Sequence, residues 1–424
     1  MIRIFRDFFA NKEIRKKIFF TLAMMLVFRL GAGIPAPGIN DTVIDLSSNS
    51  ILGMMSLLGG GSIEQMSIFS LGVSPYITAS IIIQLLSMDI IPPLAEMAKS
   101  GKKGKQQLDR ITRYLGVVMA LFQGFFIVKM FSDQYGIVDD PSVVKFIYIA
   151  IILTAGTMFL LWIGDQISTK GIGNGVSMII FAGIVAGFPS SFMTVYNQLL
   201  GTDVSASGVV GFVAYILMFV AIIVLVTAMQ LAERRIPVQY STSHTYNKTK
   251  GDLNHLPLKI NSANVIPVIF ASALIQGPQI ITSWINQDAY QWLADFFDFN
   301  KPYVLVIYAI LIILFTFFYT NMTVDPSKLA DNLNKQGTYI PGVRPGGETK
   351  AYISKVLNRI TVLGAIILTF IAVLPYVMTL VFGLPYTAAV GGTGIIIVVG
   401  VAMETVKQLK GELTSKQYRG FIGR

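Results

Sequence analysis

The feature that most limits this chain is a recurring one: stretches of roughly 20 mostly apolar residues, each long enough as a helix to cross the ~30 Å hydrocarbon core of a bilayer. There are about ten of them, at 17–36, 74–92, 114–132, 144–163, 174–196, 209–232, 263–283, 303–323, 360–382 and 385–404. No soluble fold hides so many. Hydrophobic residues make up 53% of the 424 and charged residues only 13%, against about 25% charged in ordinary soluble domains. The expectation is an all-α polytopic membrane protein.

The first run follows Arg3, Arg6, Lys12, Arg15, Lys16 and Lys17 and imitates a signal peptide; its length and the spans behind it favour a retained helix. The remaining charges set the orientation. Lysines and arginines cluster ahead of the first span, at 99–113, and in the segments 233–262, 324–359 and 405–424. No Lys or Arg lies between Leu30 and Ala98, and the other alternate loops carry mainly Asp133, Asp139, Asp140, Asp203, Asp288, Asp295 and Asp298. This alternation fits ten spans with both termini in the cytoplasm. The net charge of +10 is therefore mostly topological and does not call for DNA.

Enzyme chemistry has little to work with. There is no cysteine, and both histidines, His244 and His255, fall in one polar segment. Neither GxxxxGK[ST] nor HExxH occurs, and "GIGNG" at 171–175 runs into an apolar helix without the strand that a dinucleotide fingerprint needs. We expect no catalytic residue, metal or cofactor. A secondary transporter of small solutes is the alternative, but it calls for an ionisable coupling residue within the membrane. Apart from Arg29, which can snorkel or pair with a backbone carbonyl, the span interiors contain essentially none. The uncharged polar residues Gln84, Asn174, Asn264, Ser272 and Gln276 can line a path or bridge helices, where such bonds average ~0.6 kcal/mol.

Ten spans divide as five plus five, residues 1–200 and 201–424, and an odd number per half inverts one half relative to the other, with functional paths lying between them. The long polar insertions, at about 233–262 and 324–359, read either as solvated connectors or as docking sites for a cytoplasmic partner. One stretch, "MMSLLGGGSIEQMSIFSLGVSPYITASIII" at 54–83, starts apolar, breaks at Gly59, Gly60 and Gly61, and recovers through a proline. It cannot span a bilayer as one helix.

Several motifs together resemble the bacterial SecY proteins of the SecY/Sec61-alpha family. They are "FRLGAGIPAPGI" at 28–39, "LGVSPYITASIIIQLL" at 71–86, "GTMFLLWIGDQI" at 156–167, "GIGNGVSMIIFAGIVAG" at 171–187, "HLPLKINSANVIPVIFASAL" at 255–274 and "ADNLNKQGTYIPGVRPGGET" at 330–349. The resemblance implies a protein-conducting channel of the bacterial plasma membrane, with two inverted halves closing like a clam shell around a central hourglass pore. Such a channel passes unfolded, signal-bearing polypeptides and releases hydrophobic segments sideways into membrane lipid.

The resemblance also assigns residues. A constricting ring is implied at Val73, Ile77, Val176, Ile180, Ile269 and Ile397, all β-branched aliphatics, which dewet when empty and offer a passing chain no hydrogen bonds. A plug is implied at about 51–71, centred on Leu57, Leu58, Gly59, Gly60, Gly61, Ser62, Ile63, Glu64, Gln65 and Met66; the other reading of this stretch is an ordinary external loop. Polar residues of a lateral gate are implied at Gln84, Asn264 and Ser272. Docking of the SecA ATPase or the ribosome is implied at Arg234, Arg235, Lys248, Lys250 and Arg344, with SecE and SecG as companion subunits. The first loop's tip, with only Lys248 and Lys250, is less basic than is common in the family.

Overall fold

A computed structural model describes residues 11–40, 63, 66–87, 90–138, 140–201, 206–240, 254–285, 292, 296–298, 301–382 and 386–422. The plug residues Leu57, Leu58, Gly59, Gly60, Gly61, Ser62, Glu64 and Gln65, and the loop lysines Lys248 and Lys250, lie outside them.

Helices fill each expected span. They are α1 (Lys12–Ala32), α2 (Ser74–Leu86), α4 (Gly101–Tyr135), α5 (Val143–Lys170), α6 (Gly175–Leu200), α7 (Ala206–Leu231), α8 (Ile266–Ile285), α9 (Pro302–Thr323), α11 (Gly347–Phe382) and α12 (Tyr386–Ile422). Two short ones, α3 (Pro92–Lys99) and α10 (Pro326–Lys335), sit between them. Local chemistry sets many of the ends. Asn11 caps α1 by accepting from the amides of Glu13 and Ile14, and Arg29 in its last turn complements the negative end of the helix dipole.

The second span is shorter than expected. It stops at Leu86 because Ile91, ahead of Pro92 and Pro93, is extended at φ −114° and ψ 107°, and the prolines open α3 instead. Conversely, α4, α11 and α12 run well past their apolar stretches, because the Lys, Arg, Gln and Glu of the basic segments are good helix formers.

The polar insertions contain structure that hydropathy does not register. Strands β1 (Glu233–Tyr240) and β2 (Asn254–Lys259) pair antiparallel from Glu233↔Lys259 to Val238↔Asn254, and β3 (Thr338–Tyr339) of the second insertion joins the other edge of β1. Ile236 and Val238 point inward by strand alternation and pack with Leu258, Leu333, Ile340, Ile353 and Leu357. The insertions thus share one small core. They are not separate connectors.

Most of the remaining core is a large apolar cluster reaching from α1 and α5 through α6, α8 and α9 to α12. A separate cluster at the far end of α4 and α5 gathers Ile63, Met66, Leu71, Phe131, Ile137 and Ile149.

Candidate functional site

Where the halves meet, α6, α8 and α12 enclose a cavity of about 370 Å³. Its lining changes with depth along each helix. On α6 the residues Asn174, Ser177 and Ile180 follow one another at helical spacing, and on α12 Glu404, Val401 and Ile397 do the same in reverse. At 1.5 Å per residue, both series pass from polar to isoleucine within ~9–11 Å. Ile269 of α8 completes the apolar end, while Lys259, Ser262 and Lys407 lie at the end facing the β-sheet. The result is a polar mouth that leads to aliphatic side chains.

Ile180, Ile269 and Ile397 of the expected ring line this cavity, and Val73, Ile77 and Val176 do not. All six belong to or pack against the same large cluster: Val73, Ile180 and Ile397 are buried, and Ile77, Val176 and Ile269 half-buried. Asn174 lines the mouth and also caps α6, accepting from the Ser177 amide at 3.3 Å.

The expected gate residues separate. Gln84 of α2 accepts a hydrogen bond from Tyr319 Oη of α9 at 2.6 Å, and its Nε2 donates to Ser80 Oγ at 2.8 Å. This bond crosses from one half to the other. Tyr319 is itself held edge-on by Phe270 of α8, with ring centroids 4.9 Å apart. Asn264 and Ser272 make no such crossing. Asn264 accepts from Gln230 Nε2 at 2.6 Å and donates to Glu404 Oε2 at 3.4 Å, both in the C-terminal half. Its φ of +58° is a left-handed conformation that asparagine tolerates better than most residues, and its carbonyl accepts from Asn261 Nδ2 at 2.8 Å. Ser272 is buried and donates to Ile269 O of its own helix. The side chain of Gln276 is not among those described.

Sequence reasoning missed Tyr319. It lies in the run "FTFFYTNMT", where an aromatic reads as one more apolar residue, and only the packing shows which way its hydroxyl points.

Ile63 and Met66, the described plug positions, are both 1% exposed and pack with Ala36, Leu71, Ala120 and Ile137, in a cluster distinct from that of the ring. The chain just beyond is fixed too: Ala36 N donates to Met66 O at 2.9 Å, Ile68 N donates to Ile34 O at 3.0 Å, and Phe69 stacks between Phe28 and Phe159. Residues 66–71, expected within the plug, are thus held against α1, the chain that follows it, and α5.

Arg234, Arg235 and Arg344 are exposed on the sheet-side face. Arg235 Nε pairs with Glu233 at 2.9 Å, a surface pair of small energetic consequence. The backbone of Arg344 is pinned at the start of α11, its amide donating to Glu348 Oε2 and its carbonyl accepting from Thr349 Oγ1.

The family model for SecY matches residues 67–406, most of the chain. The chain belongs to the SecY family. Protein translocase subunit SecY of Staphylococcus carnosus (strain TM300) is 43% identical over 430 residues, covering 100% of each chain. The fold agrees with that of solved channels. A structure concerned with how the plug domain of the SecY protein stabilises the closed state superposes with a TM-score of 0.69 at 18% identity, covering 94% of this chain and 92% of that one. Sec61 in the canine ribosome-channel complex from the endoplasmic reticulum gives 0.64 at 17%, with the same coverage. SecY proteins are channel subunits and not enzymes. No cluster of His, Asp or Glu suited to a metal occurs among the described residues.

Proposed function

We infer that this chain is the channel-forming subunit of a Sec protein translocase, which passes unfolded, signal-bearing polypeptides across the membrane and releases hydrophobic segments sideways into lipid. The observation that carries this reading is 43% identity to a translocase SecY along the whole chain. The polar mouth ending on isoleucines suits it, since the charged side chains stay at the mouth and an aliphatic constriction dewets when empty and offers a passing chain no hydrogen bonds. Nothing supports the solute-transporter alternative.

Within this reading, residues 1–200 and 201–424 form the halves, Val73, Ile77, Val176, Ile180, Ile269 and Ile397 form the ring, and the plug closes it. The plug is the stretch at about 51–71, centred on Leu57 to Met66, and the burial of Ile63 and Met66 supports a seated segment there. The Gln84–Tyr319 bond is the polar latch of the lateral gate; Asn264 instead ties the start of α8 into its own half. Arg234, Arg235, Lys248, Lys250 and Arg344 receive SecA or the ribosome, and SecE and SecG complete the complex in the bacterial plasma membrane, with both termini in the cytoplasm. The exposure of the three described arginines beside one rigid sheet supports docking there.

Complementation tests the reading. Cells depleted of their own SecY regain export of a signal-bearing reporter when this chain is supplied; an abundant, membrane-inserted chain that restores no export would overturn it.

A further inference from the structure

The turn "GIGNG" reads as no phosphate loop, yet the amides of Ile172, Gly173 and Gly175 each reach a side chain on a different helix. Ile172 N donates to Thr21 Oγ1 of α1 at 3.0 Å, Gly173 N donates to Gln408 Oε1 of α12 at 3.0 Å, and Gly175 N donates to Ser168 Oγ of α5 at 2.8 Å. A helix leaves its first amides without intrahelical partners, and a single local cap satisfies only part of them. Asn174 is such a cap for α6 and Ser168 takes the amide of its first residue, Gly175, while the amides of Ile172 and Gly173, in the turn just before the helix, are taken by α1 and α12.

The glycines make this convergence possible. Gly173 adopts φ +85°, and Gly175 lies so close to Gly164 of α5 that a side chain would collide with that backbone. Thr21 Oγ1 serves twice, donating to Lys17 O at 3.0 Å while it accepts from Ile172. Beside the turn, Lys17 Nζ pairs with Glu412 Oε1 of α12 at 2.8 Å, and Ile14, Ile172 and Leu409 share a small buried core.

Val176 and Ile180 follow directly on α6. A helix moves nearly as a rigid rod over so short a distance, so whatever fixes its first turn fixes the height and rotation of both side chains. We propose that Thr21, Ser168 and Gln408 are positioning residues for the pore constriction, setting where α6 presents Val176 and Ile180. Gln408 does this from the opposite half, so the seal is registered between halves at the turn itself. This rests on the ring reading above.

The test is the resting potassium leak of the assembled translocase in proteoliposomes. Ile180→Gly checks the ring and leaks strongly. Gln408→Leu, which removes the acceptor, raises the leak several-fold at normal abundance, whereas Gln408→Glu, which keeps an acceptor oxygen there, stays close to the parent. Thr21→Val leaks and Thr21→Ser does not; this pair carries the comparison if Gln408→Leu fails to accumulate. A tight Gln408→Leu or Thr21→Val channel alongside a leaking Ile180→Gly channel overturns the positioning role and spares the ring. A tight Ile180→Gly channel overturns the ring and this inference with it.

Discussion

The two halves meet at places built in opposite ways. On the α12 side, Lys17–Glu412, Gly173–Gln408 and Thr405 with Met178 Sδ link them through an ion pair, a backbone hydrogen bond and a sulfur contact, over a buried core of Ile14, Ile172 and Leu409. On the α2 side, among the described residues, the direct side-chain hydrogen bond is the neutral one from Tyr319 to Gln84. Breaking the first junction means uncovering backbone amides and separating charge. Breaking the second exchanges one polar contact of a kind that averages ~0.6 kcal/mol between membrane helices. In the proposed reading a clam shell needs this asymmetry, because one edge must hold while the other is opened by a hydrophobic helix of modest affinity.

The largest expected effect probes the holding edge. Gly173→Val puts a β-branched residue at φ +85°, with its Cβ about 3.1 Å from Thr405 Oγ1. The left-handed backbone alone costs about 1–2 kcal/mol, with crowding in addition. The expected outcome is a lower unfolding temperature of the purified complex; an unchanged one would mean that the junction has slack.

The opening edge responds less, and in function before stability. Tyr319→Phe removes the crossing bond and keeps the ring against Phe270, weakening closure by ~0.6 kcal/mol and at most ~1.7 kcal/mol, a roughly threefold to twentyfold population shift. Export of a reporter whose signal core has been made less hydrophobic rises accordingly, while a strong signal is unaffected. Equal export of the weakened signal by the parent and the Tyr319→Phe variant would remove the latch.

The smallest effect separates the edges by their physics. Lys17→Ala deletes a partly exposed ion pair worth about 0–1 kcal/mol. Its loss matters less as salt rises, because screening already weakens the intact pair, whereas the effect of Tyr319→Phe is independent of salt. The unfolding temperature and weak-signal export, each followed across ionic strength, check the pair of expectations.

The spans were legible because apolar length is a strong signal, but the early end of α2 at Leu86 was not, because the residues between Leu86 and Pro92 stay largely apolar. The β1–β2–β3 sheet was not, because "RRIPVQY" alternates over too few residues and its partner β3 lies about a hundred residues away. Within the site, the resemblance grouped Gln84 with Asn264, and polarity within a span says nothing of which neighbour each side chain faces. The helix's rotation decides that, turning Asn264 toward Gln230 and leaving Tyr319 to meet Gln84. Thr21 and Gln408 were invisible for a related reason: their partners are backbone amides, which every residue carries.

The most direct measurement uses the absence of native cysteine. Cysteines placed at 84 and 319, or at 17 and 412, are bridged with a short bis-maleimide, and export of a signal-bearing protein is followed in membrane vesicles. The account predicts that bridging 84 to 319 stops export while bridging 17 to 412 leaves it near the unbridged rate. Undiminished export through the 84–319 bridge would contradict it.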